Sequence, residues 1–220
     1  MNVAQAEGDL PRAATLLTSI HRAPNDFGLM VTQAYQAILE RRPEKVIDRL
    51  MKALAAGDPA LDPFKGELWF WLAWAQEVAG DHAAARESWR QTRSNMESSL
   101  TEQSENPLVL CELALSNAAL GDKAAAFAFS ERAMSALPVE KDAVFGPFAI
   151  EILARVAAQL NEPDRAIAAL EKIMSLPYGS TIRGGVPLTP ALLRLDPMFD
   201  PLRNDPRFQK LALSSPSATN

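Results

Sequence analysis

Close to its C-terminal end the chain reads LRLDPMFDPLRNDPRFQKL, residues 193 to 211. Asp196, Asp200 and Asp205 each precede a proline, and Arg194, Arg203 and Arg207 are interleaved with the three pairs. Clustered carboxylates can hold a divalent cation, and guanidinium groups can hold a phosphate. The same residues have a second reading. Proline pushes its predecessor out of helical conformation and itself fits the first helical position, and an aspartate there accepts the free N–H groups of the helix start. Thr189-Pro190 has the same form, so the stretch predicts four short helix starts: PALLRL, PMF, PLRN and PRFQKL. Their apolar residues, Leu192, Leu193, Met198, Phe199, Leu202 and Phe208 among them, would form a docking surface. On this reading the carboxylates serve their own backbones, and no metal or phosphate site follows.

Other residues with chemical potential are scattered. The two histidines, His21 and His82, are far apart in sequence; His82 follows a Gly-Asp turn and is expected to be exposed there. Cys111 has Glu112 beside it and no near histidine or lysine to favour its thiolate, which makes it a small packing residue. YGSTIRGG, residues 178 to 185, lacks the Lys-Ser/Thr ending of a phosphate-binding loop and reads as a linker. Neither paired histidines, a cysteine pair nor alternating aspartates with metal-ligand spacing occur. The expectation is therefore a non-enzyme with no catalytic residue, cofactor or metal.

The elements that must position these residues come from a repeat. EGDLPRAATLL from Glu7, AGDHAAARESW from Ala79, LGDKAAAFAFS from Leu120 and LNEPDRAIAAL from Leu160 share one pattern, and ERRPEKVIDRL from Glu40 is a weaker copy. Aligned, they put Ala13, Val46, Ala85, Ala126 and Ala166 in one column, at spacings of 33, 39, 41 and 40 residues. Each phrase holds a turn, at Gly8, Arg41, Gly80, Gly121 or Asn161, and Gly or Asn there suits the left-handed end of a helix. Arg41-Arg42-Pro43, where Gly is expected, is the outlier. Three-and-four spacing flanks the turns, as in Trp69, Leu72, Ala73 and Gln76 before one and Ala126, Phe129, Ser130 and Ala133 after another. Each unit is thus expected to be two antiparallel helices with small residues where they cross. Only Met1 to Glu7 precede the first turn, half a first helix, so more chain is expected upstream.

WLAWAQEVAGDHAAARESW, with Trp69, Leu72, Ala73, Gly80 and Ala85 at the signature positions, resembles the tetratricopeptide repeat family, and the resemblance extends over residues 1 to 177. The units here are longer than that family's usual 34 residues, with AAGDPALDPFKG and RSNMESSLTEQSENP expected to lengthen helices or loops. The resemblance implies an all-α fold, a right-handed superhelical solenoid of about five helix-turn-helix repeats over residues 1–187. Capping helices over 188–212 would cover the exposed apolar side of the last repeat, and a disordered tail would follow at 213–220.

It also implies a concave groove lined by the first helices. Carried over to this chain, the candidate partner-binding residues are Tyr35, Phe70, Trp71, Trp74, Glu112, Leu115, Glu151 and Arg155. The Lys and Asn with which some members of that family grip a terminal carboxylate have no counterpart here. Trp69, Phe70, Trp71 and Trp74 diverge by about 100° from one residue to the next, so they cannot all enter one core. Either all four pack within and between repeats, or Trp71 and Trp74 anchor a partner. With Glu67, Glu77, Glu112 and Glu151 nearby, the expected ligand is a peptide or protein with apolar anchors and basic flanks.

The resemblance points first to a protein-interaction scaffold. It points second to a regulatory or sensory domain of a larger bacterial protein, because LLRLDPMFDPLRNDPRFQKL is similar to endings of repeat regions fused to winged-helix, cyclase or kinase modules. Composition narrows the partners. The 220 residues carry 22 Lys and Arg against 27 Asp and Glu, a net charge of -5, which argues against nucleic acid. LWFWLAWA, residues 68 to 75, is far shorter than the roughly 20 residues a membrane span needs. MNVAQAEGDLPRA lacks the form of a secretory signal, so a cytoplasmic location is expected, or a periplasmic one behind an upstream membrane segment.

Overall fold

The structure is a computed structural model that describes residues 2–20, 25–176, 179 and 186–214; among them it is helical throughout, with no strand. Ten helices form five consecutive pairs: α1 (Asn2–Glu7) with α2 (Leu10–Thr18), α3 (Phe27–Leu39) with α4 (Glu44–Ala56), α5 (Lys65–Ala79) with α6 (His82–Glu102), α7 (Pro107–Leu120) with α8 (Lys123–Ala136), and α9 (Phe148–Gln159) with α10 (Pro163–Met174). The first helices of successive pairs also touch, α3 with α5, α5 with α7 and α7 with α9. Each second helix packs on the first helix of the next pair.

The five turns share one geometry despite unlike sequences. Gly8, Arg41, Gly80, Gly121 and Asn161 have φ of 79°, 58°, 80°, 85° and 56°. The residue after each donates its N–H to a carbonyl five residues back, as in Asp81 to Gln76 at 3.0 Å and Arg42 to Ala37 at 2.9 Å, which satisfies orphan carbonyls of the first helix. Arg41 thus holds the left-handed conformation that Gly holds elsewhere. In the Gly-Asp turns the aspartate caps the second helix: Asp9, Asp81 and Asp122 accept from the N–H groups of Arg12, Ala84 and Ala125.

The aligned column lies at the crossings. Ala13, Ala85, Ala126 and Ala166 are fully buried and Val46 nearly so, because a larger side chain would hold the paired backbones apart. The long insertion RSNMESSLTEQSENP is spent mostly on α6, which runs to Glu102, and Asp62–Phe64 forms a 3-10 turn ahead of α5.

α5 departs from the expected one-sided pattern. Leu68, Phe70, Trp71, Leu72, Ala73, Trp74 and Ala75 are all buried, and only Trp69 of the aromatics is half-exposed. An all-round apolar helix belongs inside, and α5 is enclosed by α3, α4, α6 and α7. Diverging directions therefore lead to different neighbours rather than to solvent.

The C-terminal residues form α11 (Pro190–Leu195), a 3-10 turn (Pro197–Leu202) and α12 (Pro206–Leu213). The four expected starts are three. Pro201 lies inside the 3-10 turn, and Asp200 is not a cap, for reasons given below. α12 packs on α10, as a cover for the last pair would. The segment also reaches the opposite end of the chain: α11 packs on α1, the Thr189 hydroxyl donates to the Ala6 carbonyl at 2.6 Å, and the 3-10 turn packs on α9. It is a strap joining the first pair to the last across the face of first helices.

Candidate functional site

The strap decides where the expected groove residues lie. Arg155 is fully buried; its Nε donates to Glu151 Oε1 at 3.0 Å and its Nη1 to Asp196 Oδ2 at 2.8 Å. The guanidinium lies 5.0 Å from the Phe199 ring centroid and 5.9 Å from that of Trp74. Tyr35 donates its hydroxyl to Asp196 Oδ2 at 3.2 Å, and Asp196 Oδ1 accepts the Met198 N–H at 3.0 Å. Asp196 is therefore a helix cap and an ion-pair partner at once. Desolvating these charges is costly, and the geometry that offsets it is one arginine between two carboxylates, walled by rings.

Asp200 differs. Its carboxylate takes Arg41 at 2.6 and 2.7 Å and Arg203 Nε at 2.6 Å, and these guanidinium contacts hold it below the usual carboxylate range against the opposing effect of burial. Asp205 caps α12 through the Arg207 N–H at 2.8 Å and pairs with the Arg207 side chain, which lowers it to about 2. Arg207 also reaches Asp164 of α10 at 2.7 Å. The three aspartates face arginines of the chain itself.

Tyr35, Glu151 and Arg155 are thus closed off beneath the strap, because residues 196 to 199 occupy that space, whereas the mostly buried Trp74 borders a hollow of about 410 Å³ beside it, with Arg41, Val78, Met198 and Asp200. Phe70, Trp71, Glu112 and Leu115 lie elsewhere. With Phe27 and Val31 of α3, Glu67 of α5, Leu108 and Cys111 of α7, and Phe148 and Ile152 of α9, they line a cavity of about 150 Å³. Behind it the aromatic side chains interlock, Trp71 stacked on Trp74 at 5.4 Å and edge-on to Phe70 at 5.5 Å.

Two carboxylates meet at this cavity. Glu112 Oε2 is sealed from solvent and has no hydrogen-bond partner. Burial, and then the charge of Glu67, push the Glu112 carboxyl well above its usual range, and burial raises Glu67 as well. Among the described residues no Lys, Arg or His pairs with either. The other expected acidic groups are taken: Glu77 pairs with the exposed His82 at 2.7 Å, and Glu151 with Arg155. Cys111 is buried, and burial, Glu112 and Glu151 keep its thiol protonated. The sequence placed Glu67 only near the groove, and nothing in the repeat pattern pairs it with Glu112, which stands at a different position of its unit.

At its mouth the cavity continues into an apolar edge. Leu108 and Phe148 are shared with a second hollow of about 340 Å³, lined also by Leu137, Phe145 and Ala149. On the other side Phe27 stacks on Phe64 with ring centroids 4.2 Å apart. Phe64, Leu108, Val144 and Phe145 are 36%, 44%, 54% and 47% exposed, and all lie at or just before the N-terminal ends of α5, α7 and α9. Sequence reasoning missed this edge because its residues sit in loops and first turns, outside the helical periodicity.

Among the described residues no group of His, Cys, Asp and Glu is arranged to hold a metal ion, and no helix is long and apolar enough to cross a membrane. His21 lies outside the described residues, as does all of YGSTIRGG except Gly179 and all of the tail beyond Ser214. No protein-family model, curated protein or solved structure matches this chain.

Proposed function

We propose that the chain is a protein-interaction module, a right-handed solenoid of tetratricopeptide-like helix pairs that docks a partner on the edge formed by Phe27, Phe64, Leu108 and Phe145. The observation that carries this reading is the exposure of large apolar side chains in one strip, with Leu108 44% and Phe145 47% exposed, beside a cavity whose two carboxylates pair with no cation among the described residues. An exposed apolar strip of this kind marks a binding surface more often than chance placement does. Charge complementarity gives the partner's chemistry, an apolar segment with a basic residue.

The first-helix face that the resemblance nominated contributes rigidity. Residues 196–199 pack over its Tyr35, Glu151 and Arg155, and what this face leaves to a partner is the cavity that opens beside the edge.

Display selection of random dodecapeptides against the native chain tests the reading. Enrichment of sequences with two apolar anchors and a Lys or Arg, lost for the Leu108→Asp/Phe145→Asp variant at unchanged helical content, is the expected result. Absence of enrichment, or equal recovery by the variant, would refute it.

A further inference from the structure

Glu67 and Glu112 pose a question that packing does not answer. A buried carboxylate oxygen without a partner destabilises the fold, more so if it is charged, and a leucine or glutamine would fill the same space. Arg155 shows that this fold can neutralise buried carboxylates when it needs to, since one arginine there serves Glu151 and Asp196 together. With Glu67 and Glu112 no cation among the described residues pairs. The chain supplies a cavity of about 150 Å³, the volume at which an engineered apolar cavity admits a benzene-sized ligand. Its walls are aromatic and aliphatic: Phe70, Trp71, Phe148 and Leu115.

We propose that this cavity is the site for one alkylammonium group, its charge held between the Glu67 and Glu112 carboxylates and its methylenes against Phe70, Trp71 and Phe148. The proposal rests on reading the edge as a docking surface and names what that surface selects: a lysine side chain of the partner. A free amine would leave Phe64 and Phe27 on one side and Leu108 and Phe145 on the other without a role. A segment with apolar residues on both sides of a lysine engages all of them. Lysine suits the site better than arginine because its compact ammonium offers three rotatable donors to two carboxylates on different helices, whereas a guanidinium is a planar fork shaped for one. The aromatic walls add cation–π attraction.

Entry of the cation changes the protonation of the site. Empty, the pair favours keeping a proton, because burial raises both carboxyls and the charge of Glu67 raises Glu112 further. Occupied, both carboxylates ionise against the ammonium and the proton leaves to solvent. Affinity accordingly rises with pH from the ordinary carboxylate range upward, until the empty pair has itself ionised. The other groups facing the cavity are Phe27 and Val31 of α3, Phe148 and Ile152 of α9, whose Glu151 is turned to Arg155, and Cys111 of α7, whose thiol burial holds neutral.

The test is calorimetric titration of the full chain with the peptide acetyl-Leu-Phe-Lys-Leu-Phe-amide, its norleucine analogue in place of Lys, and n-butylammonium chloride against butan-1-ol. Wild type, Glu67→Gln and Glu112→Gln are compared. The Lys peptide should bind about tenfold or more tightly than the norleucine peptide, the equivalent of at least one charge-assisted hydrogen bond, with heats that depend on buffer ionisation because a proton is released. Either Gln variant should abolish the preference and leave norleucine-peptide binding as it was. Equal binding of the two peptides to wild type, or a preference that survives in both variants, overturns the cation site while leaving the docking edge standing. Saturable, Glu112-dependent binding of butylammonium with neither peptide bound supports the cation site and overturns the lysine source and the docking edge together. No binding of either peptide or of the amine overturns both.

Discussion

Arg155 and Asp196 show how far one residue's meaning depends on its surroundings. In sequence, Asp196 is one of three Asp-Pro pairs and Arg155 one basic residue on a helix. In the structure they form a fully buried ion pair that also holds Tyr35, Glu151 and two aromatic rings. Removing one member leaves the others charged and dry. Asp196→Ala is expected to lower stability by about 3–5 kcal/mol, the range for breaking a buried pair from one side, measured by urea denaturation. Asp205→Ala, which removes a cap and a pair with the exposed Arg207, should cost less. A smaller loss at Asp196 than at Asp205 would contradict the account. The Asp-Pro signal correctly marks Asp196 and Asp205 as caps, because capping is a local interaction between neighbours in the chain. It fails for Asp200, whose carboxylate is drawn to Arg41, 159 residues away.

At the scale of the element, the helix pair is the readable unit. The turn, the small-residue column and the three-and-four spacing all act within about forty residues, so they leave a periodic trace in the sequence. The turn requires one residue in left-handed conformation. At Gly80 a Cβ would meet nothing within 4 Å, so substitution there isolates the backbone cost from any clash. Gly80→Ala should therefore destabilise the chain by about 1–2 kcal/mol. Gly80→Asn, the residue type that position 161 tolerates at φ 56°, should cost less, and thermal unfolding followed by circular dichroism ranks the two. An alanine variant as stable as wild type would remove the conformational argument. The buried faces of α5 are harder to read. Periodicity tells which residues share a side but not what covers it, and here neighbours lie on all sides. That is why Trp71 and Trp74, readable as protruding anchors for a partner, prove to be almost wholly buried, each showing only an edge to a hollow.

Over the whole molecule the strap is the decisive feature. It packs Leu192, Leu193, Met198, Phe199 and Phe208 into the same core as α3, α5 and α9, each of these residues contributing about 1.5–3 kcal/mol before the entropy of ordering is subtracted. A chain ending at Pro187 would expose this surface and leave Arg155 with Glu151 alone. It is expected to lose its single cooperative transition, bind a hydrophobic dye and show red-shifted tryptophan emission as Trp74 becomes wet. A truncated chain that unfolds cooperatively at the wild-type midpoint would show the strap to be dispensable.

The amino-acid order by itself determined the helix pairs, their five turns and the close crossings at Ala13, Val46, Ala85, Ala126 and Ala166, because each depends on residues near one another along the chain. It also marked the C-terminal stretch as a series of short starts with an apolar underside. Only the tertiary structure decided where that underside lies, that it covers Tyr35, Glu151 and Arg155 on the face the first helices share, and that Glu67 and Glu112 meet at a cavity where no cation among the described residues pairs with them. Those outcomes depend on contacts between residues up to 183 positions apart, and such contacts leave no periodic trace, since they depend on how five pairs stack and where the chain then returns.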